Sequence, residues 1–185
     1  MIIAEKEYEI VTMIDMDEFG RYGINRENET LEIILIGEAI NDMSSMFYSC
    51  KSLIEVDFSS FNTEKIISMS LMFMYCESLT KVNFSACNTQ NLTNMAWMFD
   101  GCENLIRVNF SSFDTQKVID MQNMLSECMN LKKVDLSSFD VQNVANMTYM
   151  FYGFGGSIKI KRKNLYKIKS GSELEDNSHL MILEI

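Results

Sequence analysis

The chain has 185 residues, enough for one domain with a real core and too short for two comfortable ones. Hydrophobic residues make up 47%, which excludes wholesale disorder, and no apolar run is long enough for a membrane span. The formal charge of −10 argues against a nucleic-acid binder.

Residues 1–42 hold 11 acidic and 3 basic side chains, residues 43–157 hold 11 and 7, and residues 158–185 hold 4 and 6. The leading end is therefore acidic and the tail slightly basic. MIIAEKEYEI lacks the basic start and long apolar stretch of a signal peptide. Residues 1–30 are expected to form a hairpin or small α/β piece that turns near Gly20 and Gly23. LEIILIG, residues 31–37, is apolar enough to cover the leading face of the region that starts at Asp42.

From Asp42 one text recurs: DMSSMFYSCKSLIEVDFSSFNTEKI, then near copies from Ser68, Asn94 and Asp120, and a fifth from Asn146 that breaks off after NMTYMFYGF. The offset is 26 residues each time, a period that marks a repeat array. Met69, Met72, Phe73 and Cys76 stand at i, i+3, i+4 and i+7, and the other copies match them. That spacing predicts one short helix per copy, with Asp42, Ser68, Asn94, Asp120 and Asn146 as its N-caps. Leu53, Val56 and Phe58, and their equivalents, then predict a strand with one buried side. Asn62 and its equivalents open a polar turn by bonding their own backbone two residues on.

None of these segments can bury its apolar face alone, so like positions are expected to stack. Ten methionines would fill two such columns, and Cys50, Cys76, Cys102 and Cys128 would form a column of buried free thiols. Trp97 falls in a variable slot and is expected to be partly exposed. Cys87 replaces the phenylalanine of Phe61, Phe113 and Phe139, a smaller core filling. The fifth copy fails after Phe154, where Gly153, Gly155 and Gly156 break the helix. SIKIKRKNLYKIKSG alternates apolar and basic residues like an edge strand or hairpin, and MILEI adds a further strand.

The strand segment Leu53-x-x-Val56-x-Phe58 resembles the core of leucine-rich repeats. The Met-x-x-Met-Phe-x-x-Cys text, over roughly Asp42 to Phe154, is similar to the BspA-like repeat family of bacterial and protist surface proteins, a domain of unknown function. The resemblance implies a right-handed leucine-rich-repeat-like fold used as an adhesive or recognition surface. The expected fold is thus an α/β repeat solenoid, one short strand plus one short helix per 26-residue repeat, with non-repeat caps. Its expected parts are an N-terminal cap over 1–41, a solenoid over 42–157 and a C-terminal cap over 158–185. Cytoplasmic residence is expected if Met1 is the native start, and cell-surface or secreted residence if a leader was removed.

Catalytic motifs are nearly absent. The one histidine, His179, lies in a polar stretch, so no histidine-centred triad or multi-histidine metal site can be assembled. DMDEFG, residues 15–20, begins like a calcium loop but has Phe19 and Arg26 where oxygen ligands are required. No enzyme activity, cofactor or metal is expected. The outward strand positions give two columns, Glu55, Lys81, Arg107, Lys133 and Asp57, Asn83, Asn109, Asp135. This polar ribbon is the candidate surface for a protein or peptide partner. The alternative is a structural subunit that self-associates through its acidic and basic ends.

Overall fold

The computed structural model describes residues 2–5, 10–11, 31–37, 41–171 and 181–184. The expected turn near Gly20 and Gly23, the DMDEFG stretch and His179 lie outside the described residues. Strands β1 (Ile2–Glu5) and β2 (Ile10–Val11) pair antiparallel, and β1 pairs antiparallel with β3 (Leu31–Gly37). Strand β3 runs parallel to β4 (Leu53–Phe61), then come β5 (Lys81–Asn83) and β6 (Arg107–Val108), so one six-stranded sheet has the order β2-β1-β3-β4-β5-β6. A second sheet holds β7 (Lys133–Asp135), β8 (Ser157–Ile160) and β9 (Met181–Glu184), all parallel.

Copies meet in register. Val56 pairs with Val82 and Val82 with Val108 in the strands. Parallel bridges join Asp42 to Ser68, Ser68 to Asn94, Asn94 to Asp120 and Asp120 to Asn146. Each copy is therefore one rung, stacked directly on the next.

The expected helices do not form, and the reason lies in the backbone. Each rung instead runs through tight turns: Met46 N–H donates to Met43 C=O, Tyr48 to Ser45 and Cys50 to Phe47. Two residues per rung take left-handed φ, at Ser45 and Ser49, Leu71 and Tyr75, Trp97 and Gly101, Asn123 and Glu127, Tyr149 and Gly153. A helix this short would leave most of its amides and carbonyls without intrahelical partners. In the turns, alternate amides reach the next rung: Met43 to Ser68 C=O, Ser45 to Ser70, Phe47 to Met72 and Ser49 to Met74. The same four bonds recur at each of the other three junctions. The peptide unit that accepts from one rung donates to the next. The apolar spacing read as a helix face is equally the spacing of these successive turns.

The side chains expected to cap helices still accept from amides two residues on, at 2.7 Å for Asp42 to Ser44, 2.9 Å for Asn94 to Ala96 and 2.9 Å for Asp120 to Gln122. Asn62, Asn88, Asp114 and Asp140 make the same bond at the polar corner. Inside it, the buried hydroxyls of Thr63, Thr89 and Thr115 each bridge the amide and carbonyl of one residue on the following rung.

The core consists of columns. Met43, Met69, Met95, Met121 and Met147 form one, and Met46, Met72, Met98, Met124 and Met150 another; all are buried. Phe73 stacks between Phe47 at 5.3 Å and Phe99 at 5.2 Å, while Phe58 stacks on Phe84 at 5.0 Å. Phe99 also meets Phe84 and Phe110 edge-on.

The fifth copy does not end at Phe154. It loses two residues and continues as β8, so Val134 pairs with Ile158 at an offset of 24 instead of 26. Gly156 allows the shortcut, because a Cβ there would stand 2.3 Å from the Leu131 carbonyl oxygen. The basic segment beyond is an edge strand only in expectation: β8 lies between β7 and β9, and α1 (Arg162–Gly171) comes next as a helix. Asn164 and Ile168, buried four residues apart, supply its inward face.

Two substitutions test this packing. Phe99→Ala should lower unfolding free energy by about 3–5 kcal/mol in chemical denaturation, as for large-to-small changes in packed cores. Gly156→Ala should lower the melting temperature clearly, whereas Gly155→Ala, with nothing within 4 Å of its Cβ position, should not.

Candidate functional site

The ribbon predicted from the sequence is assembled by the parallel register. Glu55 pairs with Lys81 and Lys81 with Arg107 across β4, β5 and β6, while Asp57 faces Asn83. Lys81 Nζ lies 3.0 Å from Glu55 Oε2, and Asn83 Nδ2 donates to Asp57 Oδ1 at 3.0 Å. Burial works against the Asp57 charge, but bonds from the Ser59 amide and hydroxyl and from Asn83 outweigh it and hold the carboxyl below its ordinary value. Asn83 and Asn109 each accept from the amide two residues on, which fixes their side chains.

Between β6 and β7 no strand pairing joins the described residues, and the ribbon changes sheet there. Lys133 and Asp135 sit on β7, beyond this break. An open depression of about 470 Å³ lies at the break, lined by Lys81, Asn83, Arg107, Asn109 and Lys133 together with Val82 and Val108. Three cations thus gather around one hollow in a chain of net charge −10. Among the described residues, only Lys81 of the three has a carboxylate drawn to it, across an exposed pair of small energetic weight.

The sequence did not reveal that Lys159 extends the second column. Its Nζ lies 3.0 Å from Asp135 Oδ2, where burial of the carboxyl is outweighed by the Ser137 hydroxyl, the Ser137 amide and Lys159, lowering its pKa. The signal was present in SIKI, which repeats the alternation of Lys133-Val134-Asp135 two residues early. Lys163 likewise lies 2.7 Å from Asp140 Oδ2 and, with the Gln142 amide, lowers that carboxyl's pKa. Lys167 donates to the Gln142 carbonyl at 2.5 Å. Much of the basic run is therefore engaged with the last rungs.

The thiols form the expected column. Cys76 Sγ donates to Phe47 C=O at 2.9 Å, Cys102 to Phe73 at 3.0 Å and Cys128 to Phe99 at 3.3 Å, and all five cysteines are buried. Burial pushes Cys76, Cys102 and Cys128 well above the ordinary thiol range and Cys87 to about 12. Nucleophilic thiolate is thus suppressed at neutral pH. Among the described residues, no cluster of three or more His, Cys, Asp or Glu side chains could hold a metal ion. No helix among them is long and apolar enough to cross a membrane.

The family described as "Mycoplasma protein of unknown function, DUF285" matches residues 37–106 and 80–170, together well over half of the chain. No curated protein and no solved structure matches it.

The thiol column carries a pH signature. Unfolded thiols lose their protons above about pH 9 while the buried ones keep theirs, so the unfolded state binds fewer protons there. Stability should be indifferent to these groups below pH 9 and fall above it, by about 1.4 kcal/mol per pH unit for each thiol. Denaturant midpoints across that range check this, and the decline should shrink when Cys102 is replaced by Ala against its own neutral-pH baseline.

Proposed function

The chain belongs to this repeat family of unknown function, and from that membership we propose a non-catalytic interaction module that recognises a macromolecular partner on its strand-lined ribbon. In this reading the rungs wind as a leucine-rich-repeat-like solenoid, and the ribbon is the side it turns to a protein or peptide. The observation that carries it is the hollow at the sheet break, where Lys81, Arg107 and Lys133 converge with the Asn83 and Asn109 amides. Asparagine side chains held by their own backbone lose little further freedom on binding, and cations around a hollow give steering and register. An acidic protein segment complements this hollow in charge.

The alternative of assembly through acidic and basic ends has less to draw on. Lys159 and Lys163 are paired with Asp135 and Asp140 of the same chain, which leaves less of the basic run for a neighbour.

The test is affinity capture from the source cell and its surroundings with the wild type beside a Lys81/Arg107/Lys133→Glu variant of unchanged melting temperature. A partner held by the wild type and lost from the variant is the expected result. Equal capture by both would overturn the ribbon as the recognition surface.

A further inference from the structure

A second surface lies on the turns and shares no residue with the ribbon. Left-handed φ recurs at two positions of every rung, and the chain shows which residues meet that need without strain: Asn123, Gly101 and Gly153. Yet the same two columns also hold Leu71, Tyr75, Trp97 and Tyr149, at φ between 54° and 61°. The fold does not require rings there. Tyr75 and Tyr149 are 42% and 46% exposed, so they are not placed to fill the core either.

The Tyr75 and Tyr149 rings are held against neighbours. The Tyr75 ring lies over Gly101, 2.5 Å from where a Cβ would stand, and packs edge-on against Tyr48 at 6.1 Å. Tyr149 packs edge-on against Tyr152 at 5.9 Å. On the rung between Trp97 and Tyr149 stand Asn123 and Glu127, and the Glu127 carboxylate lies over the bare face of Gly153. The five turn segments, 42–50, 68–76, 94–102, 120–128 and 146–154, contain no lysine or arginine.

We propose that this turn face binds a neutral, extended oligosaccharide. The C–H faces of pyranose rings stack on aromatic side chains, while their hydroxyls take hydrogen bonds from amides and give them to carboxylates. From the third rung to the fifth, a ring, a polar pair and a ring follow one another, at about 4.8 Å per rung. Trp97 and Tyr149, two rungs apart, therefore offer platforms to separate sugars of one chain, with Asn123 and Glu127 facing the sugar between. The absence of cations disfavours nucleic acid, sulfated glycans and anionic lipid. A quaternary ammonium group would need rings closed around one point, and these are spread along the rungs. The site is independent of the ribbon.

Trp97 is the only tryptophan in the chain, so its emission reports this face. The full chain would be titrated with cellohexaose, laminarihexaose, chitohexaose and xylohexaose. The expected result is a saturable blue shift with at least one of them, insensitive to high salt and retained in Lys81/Arg107/Lys133→Glu. A Tyr75→Gly/Tyr149→Asn variant, carrying residues these columns already use, should keep its fold and bind about tenfold or more weakly, a loss of about 1.4 kcal/mol. No emission change with any of the four sugars at millimolar concentration would overturn the proposal. So would unchanged affinity in the folded double variant, or a response to dextran sulfate or phosphatidylserine vesicles in place of neutral sugars.

Discussion

Everything in the repeat region depends on one hydrogen-bond pattern, the alternate amides of each turn segment donating to carbonyls of the next rung. It imposes register, because a slip by one residue would set the donating amides against carbonyls such as those of Leu71 and Phe73, which already accept within their own turn. Register in turn decides the core: methionine falls on methionine, phenylalanine on phenylalanine and thiol on thiol. The Asx-type bonds at Asp42, Asn62 and their equivalents shape each corner from within, and Thr63, Thr89 and Thr115 tie it to the neighbouring rung. A constant offset across the copies is the sequence trace of this constraint, since an inserted residue would break four bonds at a junction.

Much of this was legible in the sequence. Identical text at one offset implied like-on-like packing, and the Met, Phe and Cys columns are buried where the spacing put them. The helix was not legible as turns, because burial at i, i+3, i+4 and i+7 serves both. A clue existed in Gly101, Asn123 and Gly153, which share columns suited to left-handed backbone. It was masked by Leu71, Tyr75, Trp97 and Tyr149, which no propensity argument would place there. The far end misled in a different way. SIKI is a strand, but Lys161 onward alternates only briefly, and Asn164 and Ile168 face inward at helical spacing.

The ribbon was legible as two columns of outward residues but not as a hollow. That hollow exists because pairing lapses between β6 and β7, a tertiary event with no mark in the local text. The partial engagement of the basic run by Asp135 and Asp140 was equally hidden, since it joins residues 24 and 23 positions apart, off the 26-residue period. Charge counted along a chain says little about charge that remains available once the chain has folded.

The turn ladder also has a direction. Peptide unit 68–69 accepts at Ser68 and donates at Met69, and units 94–95 and 120–121 do the same in line behind it. Strands of ordinary sheets alternate their peptide orientation and nearly cancel, but here the units of each file point one way. Four such files run side by side from the first rung to the fifth. The wall is polarised along the stacking direction as a helix is along its axis, negative at the first rung and positive at the fifth. The array therefore has electrical poles, and every added copy would lengthen the dipole without changing its sense.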